Sequence, residues 1–551
     1  MRGAFIRMKL NRVVLFLAVS LVAATCFVMT SYAMTEHFTD AAGTVGDNSW
    51  KDWKATWESV KTDLEQISLT PGANQTQLNL AWYSHTAAKP AVKWATKADM
   101  SDAKTFNGAQ TAHRVINGVQ YYSSKVTVNG LAENSTYYYQ YENNGAWSAP
   151  VSYNTKKFGS FKLLFMGDPQ IGASVGRVPS DGKDPQSAEI AARNDAYNWN
   201  ATINTALNAH PDVSFILSAG DQINYSNNDA NPQQEIEYSG YLSPRALKSL
   251  PVATVIGNHD ALTTNYRNHF NNPNSFTEEA SPTAAGNGYF FSYGNALFVI
   301  LNTNNYNCAD HEALLKKAIA ANPNAKWRIV AFHQDIYGSG KDHSDSDGIV
   351  LRTQLTPLFD KYHIDMVLQG HDHSYARTYQ LSSDGQAHTL YSVAAGNAAV
   401  KWNDEKNVAY QAQNHCYDVI KYNSNKVTDP RGTVFITANS ATGSKYYELI
   451  NPMQNYIAAR WQEWKPTYST ISIDDNSLTI STYETESGRK IDSSYTIVKT
   501  KLAKADTAAT PAIAVHAALP QVAASREQHS GLTGWVASWL KGIQDWWEAV
   551  S

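Results

Sequence analysis

The sequence predicts an α/β domain preceded by a smaller all-β sandwich. From about residue 160 to 500, apolar runs of five to seven residues such as FKLLFM, VSFILS and WRIVAF alternate with helical or loop segments. Such runs are typical of strands that are buried on both faces of a sheet. From 70 to 156 the pattern is one of short alternating strands separated by turn residues, as in TQLNLAWYS and STYYYQYENNGAW, which indicates a sandwich.

Composition indicates a globular protein of more than one domain. The chain has 551 residues, of which 43% are apolar and 17% are charged. A formal net charge of −4 provides no broad basic surface, so the sequence predicts no nucleic-acid binding. Beyond the N-terminal segment only Cys308 and Cys416 remain, too few for a disulfide scaffold, and their spacing leaves open whether they pair.

Residues 1–33 have the pattern of a signal peptide. Four basic residues precede an apolar stretch at 13–29, namely Arg2, Arg7, Lys9 and Arg12. Ser31 and Ala33 place small residues at positions −3 and −1 of a cleavage site after about Ala33. Cleavage there would give a secreted or cell-envelope protein. An uncleaved membrane anchor is the alternative, because the apolar stretch comes near the length that spans a bilayer.

Both ends of the remaining chain show the spacing of amphipathic helices. In the segment 34–69, apolar residues recur at steps of three and four, namely Trp50, Trp53, Trp57, Val60, Leu64 and Ile67. The segment 531–551 shows the same spacing after an Ala-, Pro- and Ser-rich stretch at 501–530, which is typical of a linker. Each helix either packs on the folded domains or attaches the protein to an envelope surface or a partner.

Five apolar runs of the α/β domain are followed directly by polar residues that can bind metal. These residues are Asp168, Asp221, Asn258 with His259, His333, and His371 with His373. Because the carboxyl ends of strands meet at one edge of an α/β sheet, these side chains should converge. Carboxylate, amide and imidazole ligands together favour zinc, manganese or iron, and a cation would offset the repulsion between buried carboxylates.

The ordered series GD, GD, GNHD, H, GHxH resembles the calcineurin-like metallophosphoesterase superfamily. The preceding all-β module and the ending GHDHSYAR, similar to GHxHxYxR, resemble the purple acid phosphatase-like branch, whose N-terminal module is fibronectin type III-like. The resemblance covers about residues 70–500. It implies such a module at 70–156, and at 160–500 a four-layer sandwich of two mixed sheets flanked by helices.

The resemblance also implies two metal ions and a substrate-contacting histidine. It assigns Asp221 to both ions, Asp168 and His373 to the first, and Asn258, His333 and His371 to the second. His259 matches the histidine that contacts the substrate and protonates the leaving oxygen. His343 matches the place of a phosphate-contacting histidine in plant relatives. Arg377 is assigned a structural role.

Two positions depart from the family pattern around the first ion. Purple acid phosphatases place a tyrosine three residues after the second aspartate, where its phenolate binds ferric iron; here that residue is Asn224, and Tyr225 follows it. Most other members use a histidine two residues after the first aspartate; here that residue is Gln170. Gln170, Tyr225 or water would complete the first site, and a purple ferric centre is not expected.

The pattern of residues 1–33 and the resemblance together imply a secreted phosphoesterase with two metal ions, zinc, manganese or iron, that hydrolyses phosphomonoesters by attack of an activated water. Its partner would be a phosphorylated small molecule. A phosphodiesterase or nucleotidase on the same scaffold is the alternative. From another class, the alternative is a catalytically weak protein that binds a surface.

Overall fold

The computed structural model describes residues 37–44, 48–226, 231–341, 343–344, 348–386, 388 and 415–500. The predicted signal peptide at 1–33, linker at 501–530 and C-terminal helix at 531–551 lie outside these residues. Among the helices that are described, none has the length and apolar character needed to cross a membrane.

Two helices, α1 (Ala41–Thr44) and α2 (Asn48–Val60), precede the first strand. The apolar spacing predicts a helix that continues to residue 67, but α2 ends at Val60. Leu64 and Ile67 lie beyond the helix and pack against apolar residues of the all-β sandwich. Packing against a second domain, which local periodicity does not report, therefore ends the helix early.

The apolar face of α2 is covered by the α/β domain. Trp57 is buried in an apolar cluster of that domain, and Trp53 packs against the same cluster. The indole N–H of Trp53 donates to the carbonyl of Arg193 at 2.8 Å, and that of Trp50 donates to Asp181 at 3.0 Å. Of the two roles that the sequence allows for this helix, the structure shows packing on the folded chain.

The all-β module contains nine strands. They are β1 (Ser68–Pro71), β2 (Gln77–Ser84), β3 (Ala91–Ala95), β4 (Lys104–Asn107), β5 (Ala109–Ile116), β6 (Val119–Asn129), β7 (Thr136–Asn143), β8 (Ala146–Trp147) and β9 (Val151–Asn154). One antiparallel sheet has the order β1-β2-β6-β5, and the other has the order β4-β3-β7-β8 with β9 paired to β7. Leu80, Trp82, Val126 and Tyr139 are buried in the core of this sandwich.

The α/β domain contains two seven-stranded mixed sheets. The first is built from β10 (Phe161–Met166), β11 (Val213–Ser218), β12 (Val252–Thr254), β20 (Lys426–Thr428), β23 (Thr467–Ile473), β24 (Ser477–Glu484) and β25 (Tyr495–Val498). Its order is β12-β11-β10-β23-β24-β25-β20, and β10, β11 and β12 are parallel.

The second sheet is built from β13 (Tyr289–Tyr293), β14 (Ala296–Ile300), β15 (Trp327–Ala331), β16 (Met366–Gln369), β17 (Tyr375–Thr378), β21 (Val434–Thr437) and β22 (Ile457–Trp461). Its order is β13-β14-β15-β16-β21-β17-β22, with β14, β15, β16 and β21 parallel. A small separate sheet pairs β18 (Gln380–Ser383) with β19 (Tyr417–Ile420).

Helices cover the outer faces of both sheets. The helices are α3 (Ala188–Ala209), α4 (Gln233–Leu242), α5 (Asn258–Ala261), α6 (Asn265–His269), α7 (Cys308–Ala321) and α8 (Gly348–Lys361). One apolar cluster contains residues of both sheets, including Phe165 and Phe298, and so lies between them. A second cluster joins the second sheet to α7 and α8, and a third joins the first sheet to α3 and α4. The predicted four-layer sandwich is confirmed, because one apolar cluster lies between the two sheets and another lies between each sheet and its helices.

The all-β sandwich is anchored to the segment that follows α5. Its side chains donate to main-chain carbonyls of that segment: Lys125 to Arg267 at 2.6 Å, Ser123 to Asn268 at 2.7 Å, and Ser68 to His269 at 2.5 Å. The last carbonyls of a helix have no partner within the helix, so donors from outside satisfy them. The sandwich thereby supports the part of the chain that carries Asn258 and His259.

Glu235 of α4 lies buried at the same interface and faces basic groups from both domains. Its carboxylate accepts from His269 Nε2 at 2.8 Å and from Arg114 at 3.2 Å, and His113 Nε2 lies 3.6 Å away. Burial alone would raise the pKa of Glu235, but His269 and His113 lower it below its ordinary value. The interface is therefore held by a buried, ionised carboxylate.

Cys308 and Cys416 are both buried and both free. Burial raises the pKa of the Cys308 thiol, which keeps it in the unreactive protonated form. The sequence leaves open whether these two cysteines pair, and in the structure both are free thiols.

Candidate metal centre

The polar residues that follow the apolar runs lie where strands of both sheets end. β10, β11 and β12 lead to Asp168, Asp221 and Asn258, and these strands are parallel neighbours in the first sheet. β15 and β16 lead to His333 and His371 and are parallel neighbours in the second. The main-chain N–H of His371 donates to the carboxylate of Asp168 at 2.9 Å, so the two groups of strand ends meet.

Four predicted ligands surround one point. Ligand atoms of Asp221, His333 and His371 all lie within 4.8 Å of one another. His333 Nε2 lies 3.3 Å from Asp221 Oδ2, 2.9 Å from Asn258 Oδ1 and 3.1 Å from His371 Nδ1. A single N–H cannot serve three acceptors well, whereas a cation attracts all four atoms. This donor set fits a metal ion.

Asp168 and His373 lie beside that point. His373 Nε2 and His333 Nδ1 are each 3.8 Å from Asp168 Oδ1. Asp168 is fully buried, and burial raises the pKa of its carboxyl to about 7. An ionised carboxylate is costly in such surroundings, and a cation offsets the cost. Asp168, His373 and the nearby Asp221 fit another ion, the one that the resemblance calls the first, and the four atoms around His333 Nε2 fit the second.

Main-chain carbonyls orient two of the histidines. His333 Nδ1 donates to the carbonyl of Ala219 at 2.9 Å, and His373 Nδ1 donates to that of Lys445 at 2.9 Å. Because these hydrogen bonds occupy Nδ1, each ring presents Nε2 to the centre, which is how metal-binding histidines are usually held. Burial, with Lys445 nearby, lowers the pKa of His373 well below its ordinary value, so its ring is neutral and able to bind a cation.

The carboxylate of Asp221 and the imidazole of His333 shift each other's pKa. Burial alone would raise the pKa of Asp221, but His333 and His259 lower it. Burial likewise opposes protonation of His333, but Asp221 reverses this effect and raises the pKa of His333 to about 9. The centre thus attracts positive charge at the position where the four ligand atoms meet.

Several candidate ligands have a left-handed backbone conformation, which residues other than glycine rarely adopt. Asp168, Asp221, His371 and His373 have φ angles of 38°, 47°, 73° and 45°, and Gln170 has 34°. Non-glycine residues in this region typically cost about 1 to 3 kcal/mol each and cluster at functional sites. The conformation turns each side chain towards the centre immediately after its strand ends.

Gly257 lets two of the loops approach closely. A Cβ atom at this position would lie 2.0 Å from Asp221 Oδ1 and 2.2 Å from the Asp221 nitrogen. Asp260 fixes the turn that follows, because its carboxylate accepts from the N–H of Gly257 at 3.0 Å and from the hydroxyl of Tyr238 at 3.1 Å. No residue with a side chain fits at 257 without moving the Asp221 carboxylate.

His259 lies at the accessible side of the centre. Its main-chain N–H donates to Asp221 Oδ1 at 2.9 Å, and its side chain is 12% exposed. His259 Nε2 lies 4.0 Å from Asp221 Oδ2, and Nδ1 donates to the carbonyl of Asn224. The main chain therefore holds one nitrogen of the ring, and the other lies on the side of the centre, next to the side chain of Gln170.

The two residues proposed to complete the first site differ in their surroundings. The amide of Gln170 contacts His259 Nε2 at 2.9 Å and Asn224 Oδ1 at 3.2 Å, and Gln170 Oε1 is buried without a hydrogen-bond partner among the described residues. The described hydrogen bonds of Tyr225 instead use its main chain, with Glu237 and Gln234. A buried acceptor without a partner favours Gln170 over Tyr225 as a ligand.

His343 reaches the centre although it lies on a loop. Its ring centroid is 3.7 Å from that of His371, and its Nε2 is 3.1 Å from the hydroxyl of Tyr447. The ring of Tyr447 also meets that of His373 edge to face, at 5.5 Å between centroids. His343 and Tyr447 therefore form one wall of the site.

Asp372 and Arg377 support the site from outside. Between two candidate ligands, Asp372 turns away and accepts from the N–H of Ser339 at 2.9 Å and the hydroxyl of Ser344 at 2.5 Å, which secures the loop that carries His343. Arg377 pairs with Asp492 at 2.6 and 3.2 Å. The structural role that was predicted for Arg377 agrees with these contacts.

Sequence reasoning missed Tyr447 and Lys445. Both follow β21, whose apolar run VFIT at 434–437 is succeeded by a polar loop. That loop follows the carboxyl end of its strand, as do the loops that carry the predicted ligands. The order of strands along the sheet, which no local pattern reports, places β21 next to β16.

Comparison with known families agrees with the fold. Residues 161–375 match the calcineurin-like phosphoesterase family, and residues 64–155 match the purple acid phosphatase N-terminal domain. Members of these families use dinuclear metal centres.

Two curated relatives align with parts of the chain. The uncharacterized protein Rv2577 of Mycobacterium tuberculosis is 25% identical over 160 residues, which cover 25% of this chain and 30% of the relative. A phosphoenolpyruvate phosphatase of onion, Allium cepa, is 32% identical over 71 residues, or 13% of this chain and 14% of the relative. The chain thus aligns with less than a third of the length of either relative.

Among solved structures, the purple acid phosphatase PPD1 from yellow lupin seeds, Lupinus luteus, superposes with a TM-score of 0.53. It is 16% identical, and the alignment covers 80% of this chain and 75% of the lupin protein. This likeness concerns the fold. The chain therefore contains a calcineurin-like phosphoesterase domain at residues 161–375, preceded at residues 64–155 by the N-terminal domain of purple acid phosphatases.

Proposed function

We propose that the protein hydrolyses phosphate esters, and phosphomonoesters in particular, by attack of water at a centre of two metal ions. The observation that carries this proposal is the meeting of Asp221, Asn258 and His371 around His333 Nε2. Membership of the calcineurin-like phosphoesterase family supports it. The alternative of a protein that only binds a surface does not explain why so many buried ligand groups converge.

Each ion position has its own residues. Asp168 and His373 would hold the first ion, Asn258, His333 and His371 would hold the second, and Asp221 would contact both. When bound, the two ions would neutralise the charge of the phosphate and lower the pKa of the attacking water. The mixture of oxygen and nitrogen ligands suits zinc, manganese or iron.

Protein side chains complete the site. His259 Nε2 faces the centre from the accessible side, where it can give a proton to the leaving oxygen as the P–O bond breaks, a role typically worth about 10² to 10⁴ in rate. His343 and Tyr447 lie beside His371 and His373 and can donate hydrogen bonds to phosphate oxygens. These two residues would orient the ester.

The first experiment measures hydrolysis of p-nitrophenyl phosphate and bis-p-nitrophenyl phosphate by metal-free protein supplied with zinc, manganese or iron. We expect activity that depends on metal, with the monoester the better substrate. Asp221→Asn and His259→Ala should each lower kcat by about 10² or more. Asp212→Asn, at an exposed carboxylate that pairs with Lys162, is the control and should leave kcat unchanged.

Each outcome bears on a separate part of the proposal. Activity with neither ester under any metal, or equal activity in wild type and Asp221→Asn, would exclude a hydrolase at this centre. A preference for the diester would replace the monoester assignment by a phosphodiesterase. Because Asn224 stands where a purple enzyme has tyrosine, we expect metal-loaded protein to be colourless; strong visible absorption with iron would contradict this.

We also propose export of the protein, which rests on the pattern of residues 1–33. Mass spectrometry of the protein expressed from its full sequence should find a mature N-terminus close to residue 34 in the extracellular or envelope fraction. An intact N-terminus in the membrane fraction would instead indicate an anchor. Because the apolar face of α2 is covered, we assign any association with the envelope to the segment 531–551.

A further inference from the structure

The two positions at which the chain departs from its family meet on His259. The amide nitrogen of Gln170 lies 2.9 Å from His259 Nε2, and the carbonyl of Asn224 accepts from His259 Nδ1. Gln170 and Asn224 also contact each other, with 3.2 Å between Nε2 of the first and Oδ1 of the second. Both nitrogens of the ring are therefore held by residues 170 and 224.

The chemistry of these partners determines the tautomer of the ring. An amide nitrogen only donates and a carbonyl only accepts. In this arrangement His259 carries its proton at Nδ1, and Nε2 is an acceptor that faces Gln170 and the centre. Without Gln170, the Asn224 carbonyl alone would hold the ring, which could then turn about this single hydrogen bond.

Main-chain hydrogen bonds fix Gln170 in this position. Its N–H donates to the carbonyl of Asp221 at 2.7 Å, and the N–H of Asn224 donates to that of Ile171 at 3.0 Å. The two loops thus run side by side, and Gln170 is 1% exposed. A side chain held by a rigid, buried loop can orient a neighbour at little further entropic cost.

The side-chain amide of Gln170 also has an oxygen that can accept a hydrogen bond. Gln170 Oε1 is buried and has no hydrogen-bond partner among the described residues. A half-turn of the amide would offer this oxygen to an N–H at His259 Nε2. One side chain can therefore hold the ring before reaction whether Nε2 accepts or carries a proton, and the Nε2–H hydrogen bond passes from the Gln170 oxygen to the leaving oxygen as the proton is transferred.

We propose that Gln170, aligned by Asn224, is a positioning residue that holds the imidazole of His259 towards the leaving oxygen. In this chain, the two positions at which other family members have a metal ligand contact the imidazole that is proposed to transfer the proton. The inference rests on the proposed function, because the role of His259 as proton donor belongs to it.

The test compares esters with good and poor leaving groups. Gln170→Met keeps the length of the side chain and removes the amide, and Gln170→Glu keeps an acceptor but no donor. The matched control is Gln380→Met, which removes another buried amide, one that pairs with Tyr495 at 3.0 Å outside the site. Metal content and unfolding midpoint are measured for every variant.

With p-nitrophenyl phosphate, whose leaving group needs little protonation, we expect Gln170→Met to lower kcat by less than about 3-fold. With an alkyl phosphate we expect a loss of about 10-fold or more in kcat, with KM and metal content unchanged. Gln170→Glu should restore part of the loss. The control should affect both esters equally.

Nuclear magnetic resonance of metal-free protein labelled with ¹⁵N-histidine gives a reading independent of activity. The resonances of His259, assigned by their loss in His259→Gln, should show a single Nδ1–H tautomer in wild type. Gln170→Met should shift them while leaving other histidines in place. Gln380→Met should not.

Three results would overturn the inference. Equal loss for both esters together with reduced metal content would make Gln170 a metal ligand only. Unchanged kinetics in Gln170→Met, or unchanged His259 resonances, would show that the amide does not hold the ring. Inactivity of wild type towards every ester would instead remove the proposed function, and the role of Gln170 with it.

Discussion

The main-chain N–H of His371 donates to both carboxylate oxygens of Asp168, at 2.9 and 3.1 Å, although 203 positions separate the two residues. This contact joins the strand ends of the two sheets through a carboxylate that we assign to the first metal ion. The fold of the domain and the geometry of the centre therefore depend on the same group.

Asp168→Asn keeps an acceptor for His371 but removes the charge. We expect bound metal to fall from about two ions per chain to about one, and kcat to fall by about 10² or more. The unfolding midpoint of the metal-free protein should not decrease, because the buried carboxylate is costly without a cation. Elemental analysis and thermal unfolding check this, with Asp212→Asn as control. Two ions per variant chain would contradict the assignment.

Asp195 of α3 predicts a dependence of stability on pH. Its carboxylate accepts from the N–H groups of Gly172 and Ser174 at 2.9 and 3.2 Å, and burial raises the pKa of its carboxyl to about 7. The folded state holds this proton more tightly than the unfolded chain, whose aspartate pKa is about 3.9. Wild type therefore loses stability as pH rises from about 4 through about 7.

Asp195→Asn keeps an acceptor and cannot ionise, so it should escape this loss. We expect the variant to exceed wild type by about 1 to 3 kcal/mol in free energy of unfolding near pH 8, with little difference near pH 4. Urea denaturation at both pH values measures the two differences. A difference that does not change with pH would mean that burial does not raise the pKa of Asp195 in the folded state.

The lowered pKa of Glu235 predicts the opposite dependence of stability on pH. His269 and His113 lower the pKa of this buried carboxyl, so its contribution to stability is present above about pH 4.5, the range of an unfolded glutamate, and is lost as pH falls below it. Glu235→Ala leaves His269 and Arg114 without their shared partner. We expect a loss of about 3 to 5 kcal/mol at neutral pH that shrinks in acid.

Denaturation at neutral and acid pH measures this effect, and Glu278→Ala is the control. Glu278 pairs with Lys317 at the surface, where both side chains are about half exposed or more, so its removal should cost less than about 1 kcal/mol. Equal losses in the two variants would show that the interface does not depend on a buried ion pair.

Trp57 tests whether the N-terminal helix α2 belongs to the fold. The side chain is 1% exposed within the cluster that joins α3 and α4 to the first sheet. Trp57→Ala should lower the free energy of unfolding by about 3 to 5 kcal/mol, because it leaves a large cavity. Trp147→Ala, at a side chain that is 38% exposed, should have a much smaller effect. A negligible loss in Trp57→Ala would mean that α2 is dispensable.

The polar residues that end the strands could be found by reading the sequence. Apolar runs such as FKLLFM and IDMVLQ predict buried strands, and the first polar residues beyond them, Asp168 and His371 among others, are the residues that the structure brings together. This works because burial and strand direction are local consequences of the residue pattern. The early end of α2 at Val60 was missed, because contacts with another domain decide it.

By itself the sequence determined the order of domains, the buried strands and the residue types that can bind metal, since each follows from a local pattern of apolar and polar residues. Only the tertiary structure decided which atoms face the centre. His333 and His373 are turned by the carbonyls of Ala219 and Lys445, Tyr447 joins His343, and Gln170 holds His259. Those contacts link loops that lie far apart in the chain, and hydrogen-bond geometry between distant loops exists only after the sheets have packed.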